Sequence, residues 1–359
     1  MSFLSDVPGA LVMGPMTKGS NLPYRRLAVE MGARITVSEM TLARRLKQRR
    51  RGEYALIRRA PDEPCFGVQL AGTDPEEMAW AAALVEERGA DFVDVNLSCP
   101  IDFFTSKGIG AATARQPRRV RRIVEAMKGA LRDIPVTVKI RLGWDDMHRN
   151  HVEVAQAAVD GGASAVFVHG RTRNARYRAA ADWNAIGEVV AAVNVPVVWN
   201  GDLLFPHEVG AARLRSGSMA VMTARGALIK PWFFSEMATG YRDVSAEERV
   251  SIYRRYVSLA LEHWGEDGHG MTRAREFLRW HLGFWCRYVP RRPDGTWPAM
   301  QQRESSAFVR TPMEALLARA DEAALEWLAD RLIARDEIDL AAAPPPAGTL
   351  VEVDSETQG

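Results

Sequence analysis

The sequence predicts an α/β fold: a (β/α)8 barrel followed by a small helical domain. Three observations predict it. Eight short β-branched runs alternate with longer helical patterns across about 230 residues. The runs are nearly continuous in apolar character, as expected of parallel strands covered on both faces. After Tyr241 the strand pattern stops and only helical spacing remains. A doubly wound sheet is the rival, but it usually carries a Gly-rich turn after its first strand. Here that strand ends in Gly14-Pro15-Met16.

The expected strands are Ala10–Gly14, Arg34–Ser38, Cys65–Leu70, Asp91–Asn96, Val136–Arg141, Ala165–His169, Val197–Asn200 and Ala220–Thr223. The helices that follow them are Leu22–Met31, Leu42–Arg59, Pro75–Arg88, Pro117–Leu131, His151–Asp160, Trp183–Ala192, Pro206–Leu214 and Pro231–Thr239. Beyond the barrel, Ser245–Trp264, Thr272–Tyr288 and Met313–Arg335 place apolar residues three and four apart and read as helices. Arg291–Trp297 is a loop rich in proline, glycine and charge. The expected organisation is a cofactor-binding catalytic barrel over 8–240, a helical domain over 244–340 and a disordered tail over 341–359, which has three prolines and an acidic end.

The 359 residues suffice for such a barrel and a smaller domain. No apolar run is long enough to span a membrane, and the N-terminus lacks the pattern of a signal peptide. The three cysteines, Cys65, Cys99 and Cys286, are odd in number and widely spaced. They read as free thiols of a reducing cytoplasm, with neither a disulfide frame nor a metal site. A monomer is expected, because no long apolar seam is apparent.

Net charge is only +2, but arginine is clustered. Residues 44–59 hold eight basic side chains against Glu53 alone. A second group, Arg115, Arg118, Arg119, Arg121 and Arg122, opens a helix; a third, Arg171, Arg173, Arg176 and Arg178, follows a strand. Each group alone reads as a solvated face. All three beyond barrel strands read as a one-sided face for a polyanion.

The chemistry gathers at the strand ends. Pro100 lacks an N–H and ends the Asp91–Asn96 strand, so Cys99 sits at its C-terminal mouth, where barrel catalysis takes place. The other ends offer Gln69, Asn96, Lys139 and Arg141, His169 and Arg171, Asn200 to Asp202, and Ala224 to Gly226. The ends of the last two strands form the usual phosphate site of such barrels. Gly201 and Gly226 leave backbone N–H groups open there, and Arg225 adds a forked charge. The histidines are dispersed, so no metal set appears. The phosphate therefore belongs to an organic cofactor, and FMN fits. Gln69 would bond the pyrimidine edge of its ring, and Lys139 would stabilise the reduced anion. Cys65, Cys286, Trp280, Phe284 and Trp285 read as core, whereas Trp144 and Trp183 are candidates for base stacking.

Together these segments resemble the tRNA-dihydrouridine synthases over about residues 8–340: GPM at 14–16, SEM at 38–40, FGVQLAG at 66–72, DFVDVNLSCP at 91–100, KGIGAA at 107–112, VKIRLGW at 138–144, VHGRTR at 168–173, ADW at 181–183, NGD at 200–202 and ARGAL at 224–228. NLPYRR at 21–26, KPWFFSE at 230–236 and LEHWGEDGHG at 261–270 resemble the eukaryotic branch that acts on the variable loop. The resemblance implies FMN, recharged by NADPH, as hydride donor to C6 of a uridine in tRNA, with Cys99 protonating C5. It implies that Asn96, Arg141 and Arg171 bind the uracil. It places Pro15, Met16, Gln69, Lys139, His169, Asn200, Gly201, Asp202, Ala224, Arg225 and Gly226 around the cofactor. The family usually has glycine before the cysteine; here it is Ser98. The alternatives are an FMN barrel reductase of a small unsaturated molecule, and an RNA-binding barrel that has lost catalysis.

Overall fold

The computed structural model describes residues 3–298, 300 and 309–346. Eight parallel strands close into a barrel: β1 (Leu11–Met13), β2 (Ile35–Val37), β3 (Cys65–Ala71), β4 (Phe92–Leu97), β5 (Val136–Arg141), β6 (Ala165–His169), β7 (Val197–Asn200) and β8 (Ala220–Thr223). β1 pairs with both β2 and β8, which closes the ring. After β2 the chain breaks at Ser38–Met40, then Thr41–Leu42 rejoins the ladder beside Leu70 and Ala71. Ser38 spans the break: its hydroxyl accepts from Gln69 N at 3.1 Å.

Alternation along each strand divides the core in two. Odd-numbered β4 residues Val93, Val95 and Leu97 join the layer under the outer helices, as do Val136, Val138 and Ile140 of β5. Phe92, Phe167, Cys65, Ile35 and Val198 face inward at the lower end. There a short N-terminal helix, Phe3–Asp6, plugs the barrel. Phe3 is fully buried and stacks on Phe92 at 4.1 Å. Gly67 makes room for this ring, since a Cβ there would lie 2.1 Å from Phe92. The plug lies ahead of the expected domain start at residue 8. Only a terminal phenylalanine hints at it.

Two expected helices are each divided. Leu42–Arg59 becomes Ala43–Lys47 and Arg51–Leu56, because Arg49 turns left-handed at φ 56°. Buried Glu53 holds the fold-back, accepting from Leu42 N at 2.8 Å and pairing with Arg45 at 3.3 Å. Met313–Arg335 becomes Pro312–Leu317 and Glu322–Ala334. Asp321 caps the second piece through Ala324 N at 3.1 Å and also binds Arg319.

The C-terminal helices Ala246–Trp264 and Gly268–Trp285 anchor to the barrel helix Leu22–Glu30. Asn21 caps that helix through Tyr24 N at 3.0 Å. Tyr24 stacks on His281 at 4.2 Å, and Trp285 stacks on Tyr253 at 4.0 Å. Arg25 forms a buried pair with Glu63 at 2.7 Å. Phe284 and Trp285 are buried and Trp280 packs against them, as expected; Cys286 is only half-buried. Of the expected tail, residues 341–346 are placed, and Arg319 donates to the carbonyls of Pro344 and Pro345. Residues 347–359 lie outside the described residues. Among the described residues no helix is long and apolar enough to cross a membrane.

Candidate active site at the barrel mouth

Register sets the order of side chains around the upper rim. Asn96 lies beside Lys139, Arg141 beside His169, and His169 beside Asn200. All point inward because each follows an inward residue by two positions. They cover a cavity at the C-terminal ends of the strands. Its lining includes Pro15, Met16, Lys139, Arg141, His169, Asn200, Gly201, Asp202, Ala224, Arg225 and Gly226. The structure therefore brings eleven of the fifteen candidate site residues to one wall. Cys99, Gln69, Asn96 and Arg171 lie behind it. Ser98, Tyr177 and Met300 also line the cavity. Tyr177 is a residue that sequence reasoning missed: it lies in a loop without strand or helix periodicity. It is placed by Arg225, whose guanidinium carbon lies 4.2 Å from its ring centroid.

Below the cavity a polar chain crosses the barrel. Gln69 donates to Asp94 and accepts from Asn96, both at 2.7 Å, and Thr137 donates to Asp94 at 2.7 Å. Both polar atoms of the Gln69 amide are thus occupied inside the barrel. Asp94 has no cation in hydrogen-bond contact, and burial pushes its carboxyl up to about 6. Ionisation of Asp94 then opposes folding above that pH, and stability contributed by its neutral form is lost as pH rises from 3.8 to about 6. Asp94→Asn cannot ionise; its amide oxygen accepts from Gln69, and its N–H donates to Thr137 Oγ1, whose hydroxyl turns to accept it. Its unfolding free energy relative to wild type is expected to rise by roughly 2 kcal/mol from about pH 4 to pH 7. Urea titrations at the two pH values check this, and an unchanged difference would refute it.

Asn96 passes this order to the cysteine. Its side-chain oxygen accepts from Ser98 N at 3.1 Å and Cys99 N at 2.9 Å. Arg141 donates to Ser98 O at 2.8 Å, Arg173 donates to Pro100 O at 3.0 Å, and Ala111 N donates to Cys99 O at 3.0 Å. The backbone at 98–100 is therefore clamped from three sides. Gly110, at φ 68°, lies directly over the cysteine, and a Cβ there would stand 2.8 Å from Cys99 Cβ. Cys99 is 2 % exposed, and burial raises its thiol above the ordinary range, so it stays protonated at neutral pH.

Lys139 is buried and, among the described residues, makes one hydrogen bond, a long one of 3.5 Å to Ser98 Oγ. Burial first, then the Arg141 charge, lowers its ammonium to about 7. The same burial keeps His169 neutral. Arg171 is fully engaged: it donates to Ala179 O and to both Asp202 oxygens at 2.6 Å, and contacts His169 Nε2 at 3.2 Å. Asp202, left-handed at φ 53°, also meets Arg225 at 3.4 Å. The third arginine group is therefore partly neutralised within the chain. Arg171 pairs with Asp202, while Arg173 and Arg176 both pair with Asp102. Asp202 is largely buried and Asp102 is exposed, so carboxylates from other β–α units, absent from the arginine run itself, offset part of its charge. The group at 44–51 stays largely exposed. Trp144 is flanked by Arg115 at 4.9 Å and Arg173 at 4.6 Å, and Trp183 packs edge-on against Trp199 at 4.7 Å.

The fold is similar to that of a 2-naphthoyl-CoA reductase, with a TM-score of 0.54 and 11% identity over 65% of this chain and 50% of that one. It is likewise similar to a histamine dehydrogenase from a Rhizobium species, with a TM-score of 0.50 and 14% identity over 69% and 48% of the two chains. In sequence, the mouse protein called tRNA-dihydrouridine(47) synthase [NAD(P)(+)]-like is 39% identical over 288 residues, 79% of this chain and 45% of its own. The Cryptococcus neoformans tRNA-dihydrouridine(47) synthase [NAD(P)(+)] is 40% identical over 328 residues, 86% of this chain and 45% of its own. The chain thus spans about half the length of the curated relatives it matches. The profile of the dihydrouridine synthase (Dus) family matches residues 11–283, from β1 through the second C-terminal helix, and with it the whole of the clamped cysteine, the buried lysine and the rim around them: the chain belongs to the dihydrouridine synthase family.

Proposed function

We propose that this protein reduces a uridine of tRNA to 5,6-dihydrouridine with FMN and NADPH. The observation that carries the reading is a buried thiol, its backbone clamped by Asn96, Arg141 and Arg173, beside a cavity lined by Lys139, Arg141 and Arg225. The relatives' names supply the tRNA, NAD(P) and position 47 as the first uridine to map.

The residues fit FMN. Lys139 lines the cavity, and among the described residues its amine makes one long hydrogen bond, so it suits an acceptor there. Arg225, Gly201 and Gly226 suit a phosphate at the β7 and β8 ends. Gly226 admits no side chain, since a Cβ would lie 1.9 Å from Leu203 O. When bound, FMN would supply a hydride to C6 of the uracil, and a second hydride from NADPH would restore its reduced form. The protein's residues do the rest. Lys139, when charged, stabilises negative charge near the ring. Asn96 and Arg141 hold the cysteine loop in register with the uracil face. Cys99 delivers its Sγ proton to C5. Arg171 fixes His169 and Asp202 in the wall, and a direct bond to uracil requires it to release one of these partners. The uridine must leave its stack to reach this mouth. NADPH is the expected reductant, the cytoplasm the expected location and a monomer the expected state.

The cofactor half is tested by extracting the purified protein and identifying the flavin by mass. Release of FMN, bleached in the holoprotein by NADPH, supports the reading; release of no flavin contradicts it. The RNA half is tested at the exposed run Arg49, Arg50 and Arg51. Their joint replacement with alanine is expected to weaken tRNA binding and flatten its salt dependence, by up to about one unit of slope per lost phosphate contact. An unchanged slope would show that this run faces only solvent.

A further inference from the structure

Beside the mouth, outside the cavity described above, a groove runs between the helix Ala43–Lys47 and the segment 103–109. Arg44, Arg45, Gln48, Phe103 and Lys107 form its walls. Phe103 is 53% exposed, on the four-residue helix Asp102–Thr105. It is held edge-on against Phe104 at 5.2 Å, and Lys107 Nζ lies 3.6 Å from its ring centroid. An aromatic ring is thus kept in water with an ammonium on it, and two arginines face it across the groove. Asp74 and Glu77 also border the groove, but the Asp74 carboxylate accepts from Glu77 N and caps the helix Pro75–Glu87.

The groove adjoins the reacting centre through the chain. Ile109 lines it, and the next residue, Gly110, lies on Cys99. Arg44 and Arg45 begin the exposed basic run that continues through Arg51. A uridine drawn out of its stack brings its neighbours' backbone against the rim of the pocket it enters. An unstacked nucleotide is held by an aromatic face for its base and by cations for its phosphate.

We propose that this groove is a second nucleotide subsite, which takes the nucleotide adjoining the reduced uridine. Phe103 stacks on the base, and Lys107 with Arg44 binds the phosphate. The inference rests on the tRNA reading above. It adds where the flanking nucleotide sits and why the ring of Phe103 stays exposed.

The test is steady-state kinetics of the holoenzyme on unmodified tRNA, with dihydrouridine counted by mass spectrometry. Phe103→Ala is expected to raise KM for tRNA about tenfold with kcat nearly unchanged. Phe103→Trp is expected to restore KM and Phe103→Leu not to, since leucine keeps apolar bulk without a stacking face. Lys107→Ala is expected to raise KM and reduce the salt slope by about one. If wild type makes dihydrouridine and Phe103→Ala keeps its KM, the subsite is overturned and the tRNA reading stands. A raised KM that tryptophan does not restore, accompanied by a lowered melting temperature, also overturns it, because Phe103 is then structural. If wild type makes no dihydrouridine, the tRNA reading itself falls and the subsite with it.

Discussion

Cys99→Ala is expected to slow uridine reduction by about two to four orders of magnitude, the usual effect of removing a general acid. The expectation rests on the state of the thiol. Burial raises it, so it carries its proton at neutral pH, as a donor must. The backbone clamp from Asn96, Arg141 and Arg173 does not pass through the side chain and survives the substitution. Cys99 does not line the cavity either, so bound flavin and its bleaching by NADPH are expected to persist. The check is single-turnover reduction of tRNA by the prereduced protein. Near wild-type turnover in the alanine variant would remove Cys99 from the acid role. Cys99→Ser, which keeps a hydroxyl of much weaker acidity, is expected to fall close to alanine.

Asp202→Ala is expected to cost roughly 3–5 kcal/mol of stability and to empty the cofactor site. Asp202 is the counter-charge of buried Arg171, bonded through both oxygens at 2.6 Å, and it meets Arg225 at 3.4 Å. It also accepts from Ala181 N at 2.8 Å. Its removal strands a buried guanidinium whose remaining partners, Ala179 O and His169, are uncharged or held neutral. Alanine is also poorly suited to the left-handed backbone at φ 53°. Asp202→Asn tolerates that backbone and keeps one acceptor, so it should lose less. Chemical denaturation with flavin absorbance separates the two effects. An alanine variant as stable as wild type would mean that Arg171 finds another partner.

The barrel is readable in the sequence because its signal is repeated: eight apolar runs, six of them ending in polar residues that can carry chemistry. The rim was equally readable, because period-two alternation carries Lys139 and Arg141, or Asn96, to one end of one face. What the sequence hides is the partnership between distant residues. The closure of Asp202 on Arg171 joins positions in different β–α units, so the arginine group after β6 looks like a basic surface but has Arg171 in a buried ion pair and Arg173 and Arg176 sharing exposed Asp102. The polar chain Gln69–Asp94–Thr137 is hidden for the same reason, and it places the Gln69 amide inside the barrel. The break at Arg49 depends on the backbone turning left-handed where the residue type favours helix. Glu53, buried against Leu42 N, supplies the reason, and that is a tertiary contact. The plug at Phe3 likewise needs the cleft at Gly67, which has meaning only once Phe92 lies across from it.

The most direct test of the account is to incubate the purified holoprotein with NADPH and unmodified tRNA, then analyse the nucleosides by mass spectrometry. The account predicts a uridine that gains two hydrogens in wild type and not in Cys99→Ala, with fragment mapping to give its position. A flavin-containing protein that oxidises NADPH while the uridine of its tRNA gains no mass would contradict it. That result would make the site a reductase of some smaller unsaturated molecule, with Ser98 as the first residue to change to glycine.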